Sequence, residues 1–221
     1  MAGAVERLGH GFADEALLRQ ALTHRSAGRN NNERLEFLGD AVLGFVTAEL
    51  LYQRFHTASE GQLTRMRAAL VRRETLAEIA RELELGPSLV LGEGELKSGG
   101  RNRKSILADC LEALIGAVYL DSGMSATRTL IEELLGGRLD VMDPRDAGKD
   151  PKTRLQEHLQ SLQMPLPDYS VTDVEGEGHQ QSFHVVCELK ALGLTTRGSA
   201  GSRRKAEQMA AARALEELGN P

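Results

Sequence analysis

The stretch NERLEFLGDAV, residues 32–42, decides the reading of this chain. Its apolar positions recur at helical spacing, yet Glu33, Glu36 and Asp40 stand among them. At about 100° per residue, Leu35, Leu38, Val42, Phe45 and Val46 share one broad face. The three acids fall together on an arc of roughly 60°, with Phe37 and Leu43 on its flanks. A solvated helix face would be wider and would mix Lys, Ser and Gln with its acids. Like charges at this spacing repel one another, so the stripe calls for a cation against it.

A second helix repeats the pattern. KSILADCLEALIGAVYL, residues 104–120, is apolar nearly all round, as a central core helix should be. Asp109 and Glu112 interrupt it at i, i+3, bordered on their face by Ser105 and Gly116. Unpaired buried carboxylates are very costly, so the two acidic stripes are expected to face each other. Glu36, Asp40, Asp109 and Glu112 would then offer oxygen ligands to a hard divalent cation, Mg²⁺ or Mn²⁺ in its place. No His or Cys lies at zinc-binding spacing. Such an arrangement suits phosphodiester cleavage, where a metal activates water and stabilises the leaving oxygen. The competing reading pairs the acids with Arg34, Arg65, Arg67 or Arg72. An isoprenoid synthase would need DDxxD runs, which are absent.

The chain has 221 residues, 41% of them hydrophobic, with no Trp and a net charge of −5. That length suits one large or two ordinary domains. The net charge alone argues against a nucleic-acid partner unless basic residues are gathered locally. Cys110 and Cys187 each sit in an apolar run and read as small buried residues, which fits a reducing compartment. No secretory signal and no membrane span is read from the sequence, and the expected location is the cytoplasm.

Helices are expected over 14–26, 32–55, 59–70, 73–85, 103–121 and 124–135, separated by Gly-rich turns. Residues 136–151, rich in Gly, Asp and Pro, read as a linker. Beyond it the order is α-β-β-β-α. A helix is expected over 152–164, with Leu155, Leu159 and Leu162 inside, ended by Pro165 and Pro167. Strands follow over 169–175, 183–189 and 192–198, with Phe183, Val185, Cys187 and Leu189 on one face. The last helix is expected over 202–218, with Ser202 as its N-cap. Arg203, Arg204 and Lys205 crowd its first turn, the unfavourable end of the dipole for cations, which suggests a phosphate partner. Thr153, Gln156 and Gln160 share a polar face suited to a shallow RNA minor groove or simply to solvent. His179 lies in the turn between the first two strands. Residues 148–221 hold 9 Lys+Arg against 10 Asp+Glu, so any RNA-binding charge must be one-sided.

NERLEFLGDAVL (32–43) resembles the signature of bacterial ribonuclease III. ALTHRSA (21–27), EGQLTRMRAALV (60–71) and LGEGELKSGGRNRKSILADCLEALIGAVYLDSG (91–123) match that family's pattern in the same order. The α-β-β-β-α segment with SRRKAEQMAA resembles its double-stranded-RNA-binding domain. The resemblance implies a mostly α fold: an all-helical endonuclease domain over 1–138, a linker over 139–150 and a small α+β domain over 151–221. It implies a homodimer that cuts both strands of double-stranded RNA, leaving 5′-phosphates and short 3′ overhangs, with processing of ribosomal RNA precursors and structured messages as the family role. Glu36, Asp40, Asp109 and Glu112 match the metal-binding and catalytic acids, Asp40 and Glu112 being the two singled out as essential. Glu33 and Glu60 match supporting acids. Thr153, Gln156, Gln160 and His179 match minor-groove contacts, and Arg203 and Arg204 replace a phosphate-gripping Lys-Lys pair. No small organic cofactor is implied. The alternatives are a non-catalytic RNA-binding protein on the same scaffold and a metal enzyme acting on small phosphates.

Overall fold

The computed structural model describes residues 7–144, 149–176 and 181–219. The chain divides into two compact units, residues 1–148 and 149–221. No helix among the described residues is long and apolar enough to cross a membrane.

The first unit is helical: α1 (Glu15–Ala21), α2 (Glu33–Arg54), α3 (Glu60–Val71), α4 (Arg73–Glu82), α5 (Glu93–Lys97) and α6 (Lys104–Asp140). Local chemistry sets the starts. Asp14 caps α1 by accepting from the Ala16 amide. Ser59 and Gln62 form a reciprocal capping box at α3. The first helix stops at Ala21, short of the expected 26, because Thr23 forms a parallel bridge with Val90. His24 then opens a short 3₁₀ turn. The turn expected at Ser122-Gly123 is a kink inside α6, where Gly123 has φ 75°. The helix then runs on to Asp140 with Leu135 and Leu139 buried, so residues 136–140 are helix and not linker. The middle of the segment read as linker, 145–148, lies outside the described residues.

The core is α2 laid against α6. Leu35, Val42, Leu43 and Val46 meet Leu107, Leu111, Leu114 and Ile115, all buried. Phe45 was expected on this face but is 59% exposed, and Phe37 is 80% exposed. The crossing is unusually close at two glycines. A Cβ built on Gly39 would run into the Glu112 carbonyl, and one on Gly116 into the Leu35 carbonyl. Only two residues without side chains permit that approach.

The second unit is α7 (Pro151–Ser161), β1 (Asp168–Glu175), β2 (Ser182–Leu189), β3 (Leu194–Ala200) and α8 (Arg203–Glu217). The sheet is antiparallel in the order β1-β2-β3, with a register shift between Val171 and Asp173. Cys187 and Leu189 point into a core shared with Leu155, Leu159, Ala210 and Leu215, Val185 is buried as well, and Phe183 is half-buried. Leu162 was expected inside but is 49% exposed. The helix ends at Ser161, and Met164 packs on the core instead.

Gly39→Ala should destabilise the first unit by about 3 kcal/mol, because two backbones must separate. Gly136→Ala, on a helix with open space at its Cβ, should stabilise by about 0.5–1 kcal/mol. Urea unfolding of both variants measures the difference.

Candidate metal centre and nucleic-acid interface

The glycine contact has a direct chemical result. It brings Glu36 of α2 beside Asp109 and Glu112 of α6, with one carboxylate oxygen from each lying within 4.8 Å of the others. Asp40 lines the same cavity of about 420 Å³, with Glu33, Phe37 and Arg73, but its carboxylate stays outside that triple. Glu36, Asp109 and Glu112 are half-buried and Asp40 is exposed. Glu33 reaches Arg25 at 3.7 Å. Glu60 is elsewhere: it starts α3, accepts from the Thr64 hydroxyl at 2.8 Å and lines a depression with Tyr52 and Arg67.

The electrostatics of the cluster are unfavourable to its charged form. Burial, then repulsion from Asp40, Glu36 and Asp109, pushes the Glu112 carboxyl up to about 8, against the pull of Arg73. Burial also raises Asp109, opposed by Arg73, His24 and Arg25. Glu36 is raised by burial and by its acidic neighbours, with Arg25 opposing. Among the described residues no salt bridge neutralises any of the three clustered acids. The four arginines considered from sequence do not fill that role. Arg34 lines an apolar groove, Arg67 lies beside Glu60, Arg72 donates to the Thr75 hydroxyl, and Arg65 lies beside Gly61. The cations that matter, Arg25 and Arg73, were missed. Arg25 sits in a segment read as helix, and Arg73 directly follows Arg72, which was considered in its place. Three convergent carboxylates without internal compensation fit a hard divalent cation, which prefers oxygen ligands. Neither cysteine competes for it. Cys110 is fully buried and burial pushes its thiol up to about 12, while burial also raises Cys187.

In the second unit Thr153, Gln156 and Gln160 are exposed on α7. Arg203, Arg204 and Lys205 are exposed at the start of α8, where Ser202 accepts from the Lys205 amide. His179 lies outside the described residues. A contact not foreseen ties the two helix starts together. Glu207, 8% exposed, takes Lys152 of α7 at 2.6 Å and Arg203 of α8 at 2.8 Å. Burial alone would raise its carboxyl, but these two partners hold it below the ordinary range. Lys152 also lies over the Tyr169 ring, 4.4 Å from its centroid. Part of the basic turn is therefore internally balanced.

An acid-lined helical unit followed by an α-β-β-β-α unit with a basic helix start defines a two-part, nucleic-acid-directed hydrolase. A Ribonuclease-III-like family model matches residues 14–139, and a double-stranded RNA binding motif matches 151–218. Proteins named Ribonuclease 3 are similar along nearly their whole length. One from Ectopseudomonas mendocina is 58% identical over 213 residues, covering 96% of this chain and 93% of its own. One from Vibrio cholerae is 55% identical over 214 residues, covering 97% and 95%. The crystal structure of a ribonuclease III nuclease domain from Campylobacter jejuni superposes with TM-score 0.62 at 41% identity, covering 65% of this chain and 98% of that one. A second structure of that domain, described for flexibility in a region involved in dimer formation, gives 0.61. The chain belongs to the ribonuclease III family: it is an endoribonuclease that carries a double-stranded-RNA-binding domain.

The raised Glu112 carboxyl has a consequence for the metal-free protein. Its folded state keeps a proton that the unfolded chain has released, so between about pH 4.5 and 8 stability falls as pH rises. Glu112→Gln removes that penalty. The variant should melt higher than wild type at pH 8 in EDTA, and the gap should close towards pH 4. Calorimetry across that range tests the sign.

Proposed function

We propose that this protein cleaves double-stranded RNA with Mg²⁺ held by Glu36, Asp40, Asp109 and Glu112, and that Mn²⁺ can take its place. The observation that carries the reading is the uncompensated carboxylate triple held between two buried helices. When bound, the cation supplies Lewis-acid stabilisation of charge at the phosphate and the leaving oxygen. The chain's own residues do the rest. Asp40, exposed at the rim of the cavity, and Glu112, at its half-buried wall, are the acids we assign as essential. Glu33 supports them by holding Arg25 close to the clustered acids; Glu60, away from this cavity, is kept as a supporting acid on the family resemblance. Hydrolysis is proposed to leave 5′-phosphates and short 3′ overhangs, and the substrates to be ribosomal RNA precursors and other structured transcripts in the cytoplasm.

Binding and chemistry are divided between parts of the chain. The nuclease domain is taken as 1–138, the linker as 139–150 and the RNA-binding domain as 151–221. Thr153, Gln156, Gln160 and His179 are assigned to the minor groove, where A-form shape and 2′-hydroxyls select RNA. Arg203, Arg204 and Lys205 are assigned to phosphate, with Arg able to grip it bidentately. Tethering raises the effective concentration of duplex at the nuclease domain. No small organic cofactor enters this scheme.

A homodimer through the nuclease domain completes the proposal. Phe37, Phe45 and Tyr52 of α2 are 80%, 59% and 72% exposed. Phe37 also borders an apolar groove lined by Leu17, Leu35, Leu38 and Leu120. So much exposed aromatic surface on one helix is costly in a monomer and suits a second copy. Phe37→Glu should shift the protein from dimer to monomer in sedimentation velocity.

The decisive test of activity is cleavage of an end-labelled RNA duplex with Mg²⁺. Wild type should make staggered cuts. Glu112→Gln should bind the duplex normally and cut it slower by roughly a hundredfold or more. EDTA should stop cleavage and spare binding. Wild type that binds and never cuts, with Mg²⁺ or Mn²⁺, would favour the non-catalytic reading.

A further inference from the structure

We propose that the cavity adjoining the carboxylates is a built subsite for an RNA backbone phosphate next to the one being cleaved, with Asn32 as its innermost donor. The inference rests on the ribonuclease reading and adds residues to it. This cavity, of about 360 Å³, shares Glu33, Glu36 and Asp109 with the acidic one. Its other walls are of a different character.

Two helix N-termini open on it. Asn32 and Glu33 begin α2, while Arg103, Ser105 and Ile106 begin α6, and all five line the cavity. The α6 start has no side-chain cap, whereas at α2 the Glu33 amide donates to Asn31 Oδ1 at 3.1 Å. The α6 start therefore presents amide N–H groups and the positive end of its dipole without a side-chain acceptor. An uncapped helix start beside a second one favours an anion.

The side chains agree. Asn32 is 2% exposed, and its carboxamide nitrogen has no hydrogen-bond partner. A buried donor left unpaired is costly, so an acceptor belongs beside it. Asn31, not Asn32, accepts from the first amide of α2, so the Asn32 side chain is not used as a cap. Arg25 and Arg103 add two guanidiniums, now resting on Glu33 and Glu95 at 3.7 and 2.8 Å. His24 completes the donor set. Its Nδ1 accepts from the Ser26 amide at 3.2 Å, so in the neutral ring the proton is on Nε2, which is a donor. An unpaired buried amide, with two guanidiniums and a ring N–H around it and a cluster of acids that a metal would neutralise beside it, matches a phosphodiester whose neighbour lies over that metal. Glu33, Glu36, Asp109 and Glu95 would oppose any anion here in the metal-free protein, so occupancy should be stronger with the divalent cation present.

The test uses full-length protein and two substitutions. Asn32→Asp keeps shape and capping ability but turns a donor into an anion. Arg103→Gln removes one cation at the rim. Nitrogen-15 NMR spectra in Mg²⁺ are followed while inorganic phosphate is added, and duplex RNA affinity is measured in Ca²⁺ to suppress turnover. Wild type should show saturable shifts at the Asn32 carboxamide and at the Ser105 and Ile106 amides. Asn32→Asp should lose the Ser105 and Ile106 shifts, and its RNA affinity should fall roughly tenfold at a temperature where circular dichroism shows the variant folded. Arg103→Gln should weaken both in the same direction. Absence of saturable shifts at Asn32 overturns the proposal, leaving its amide to water. Shifts with RNA affinity unaltered in both variants overturn it as an RNA subsite. Phosphate binding at Asn32 in a protein that neither binds nor cuts duplex would defeat the ribonuclease reading and leave the anion site standing.

Discussion

The backbone-to-backbone approach of α2 and α6 at Gly39 and Gly116 is the constraint on which the rest depends. Either glycine with a side chain would strike a carbonyl of the other helix. Without that approach Glu36 could not sit within 4.8 Å of Asp109 and Glu112. The same crossing buries Leu35, Val42, Leu111 and Ile115, so the apolar core and the polar site are two faces of one contact. A site on two packed helices is also rigid, as the placement of a metal and a phosphate requires.

That rigidity is set against electrostatic cost. Three carboxylates raised by burial, Glu36 and Glu112 also by their acidic neighbours, are unfavourable in the metal-free protein. Arg25 and Arg73 lessen the repulsion without closing on the cluster. A tight salt bridge would stabilise the fold and would also compete for the oxygens a cation needs. The second unit shows the opposite arrangement. There Glu207 is satisfied by Lys152 and Arg203, and its role is to join two helix starts. One buried acid with matched cations builds structure, whereas the three without them form the cluster proposed to bind metal.

Much of this was legible in the sequence because the signal was periodic. Acids at helical spacing inside apolar runs marked both helices, and alternation marked β2. What failed was local. Helix ends were misjudged at Ala21, Ser161 and Asp140, where a bridge to Val90, a Met164 contact and the burial of Leu139 override propensity. Phe45 fits the apolar face of α2 by angle, but exposure depends on what packs there, which one sequence does not state. Arg25 and Arg73 were invisible for the same reason: their importance comes from long-range placement. Asn32 opened the decisive stretch and read as an ordinary helix start. Its unpaired amide emerges only when the cavity around it is seen.

The central claim is that the contact of α2 with α6 exists to hold a divalent cation among Glu36, Asp109 and Glu112. Anomalous diffraction from crystals soaked in Mn²⁺ tests it most directly. The account predicts a strong peak bounded by those three carboxylates, absent in Glu112→Gln crystals treated alike. Well-ordered carboxylates with no peak between them, or a peak only at a distant surface site, would contradict it.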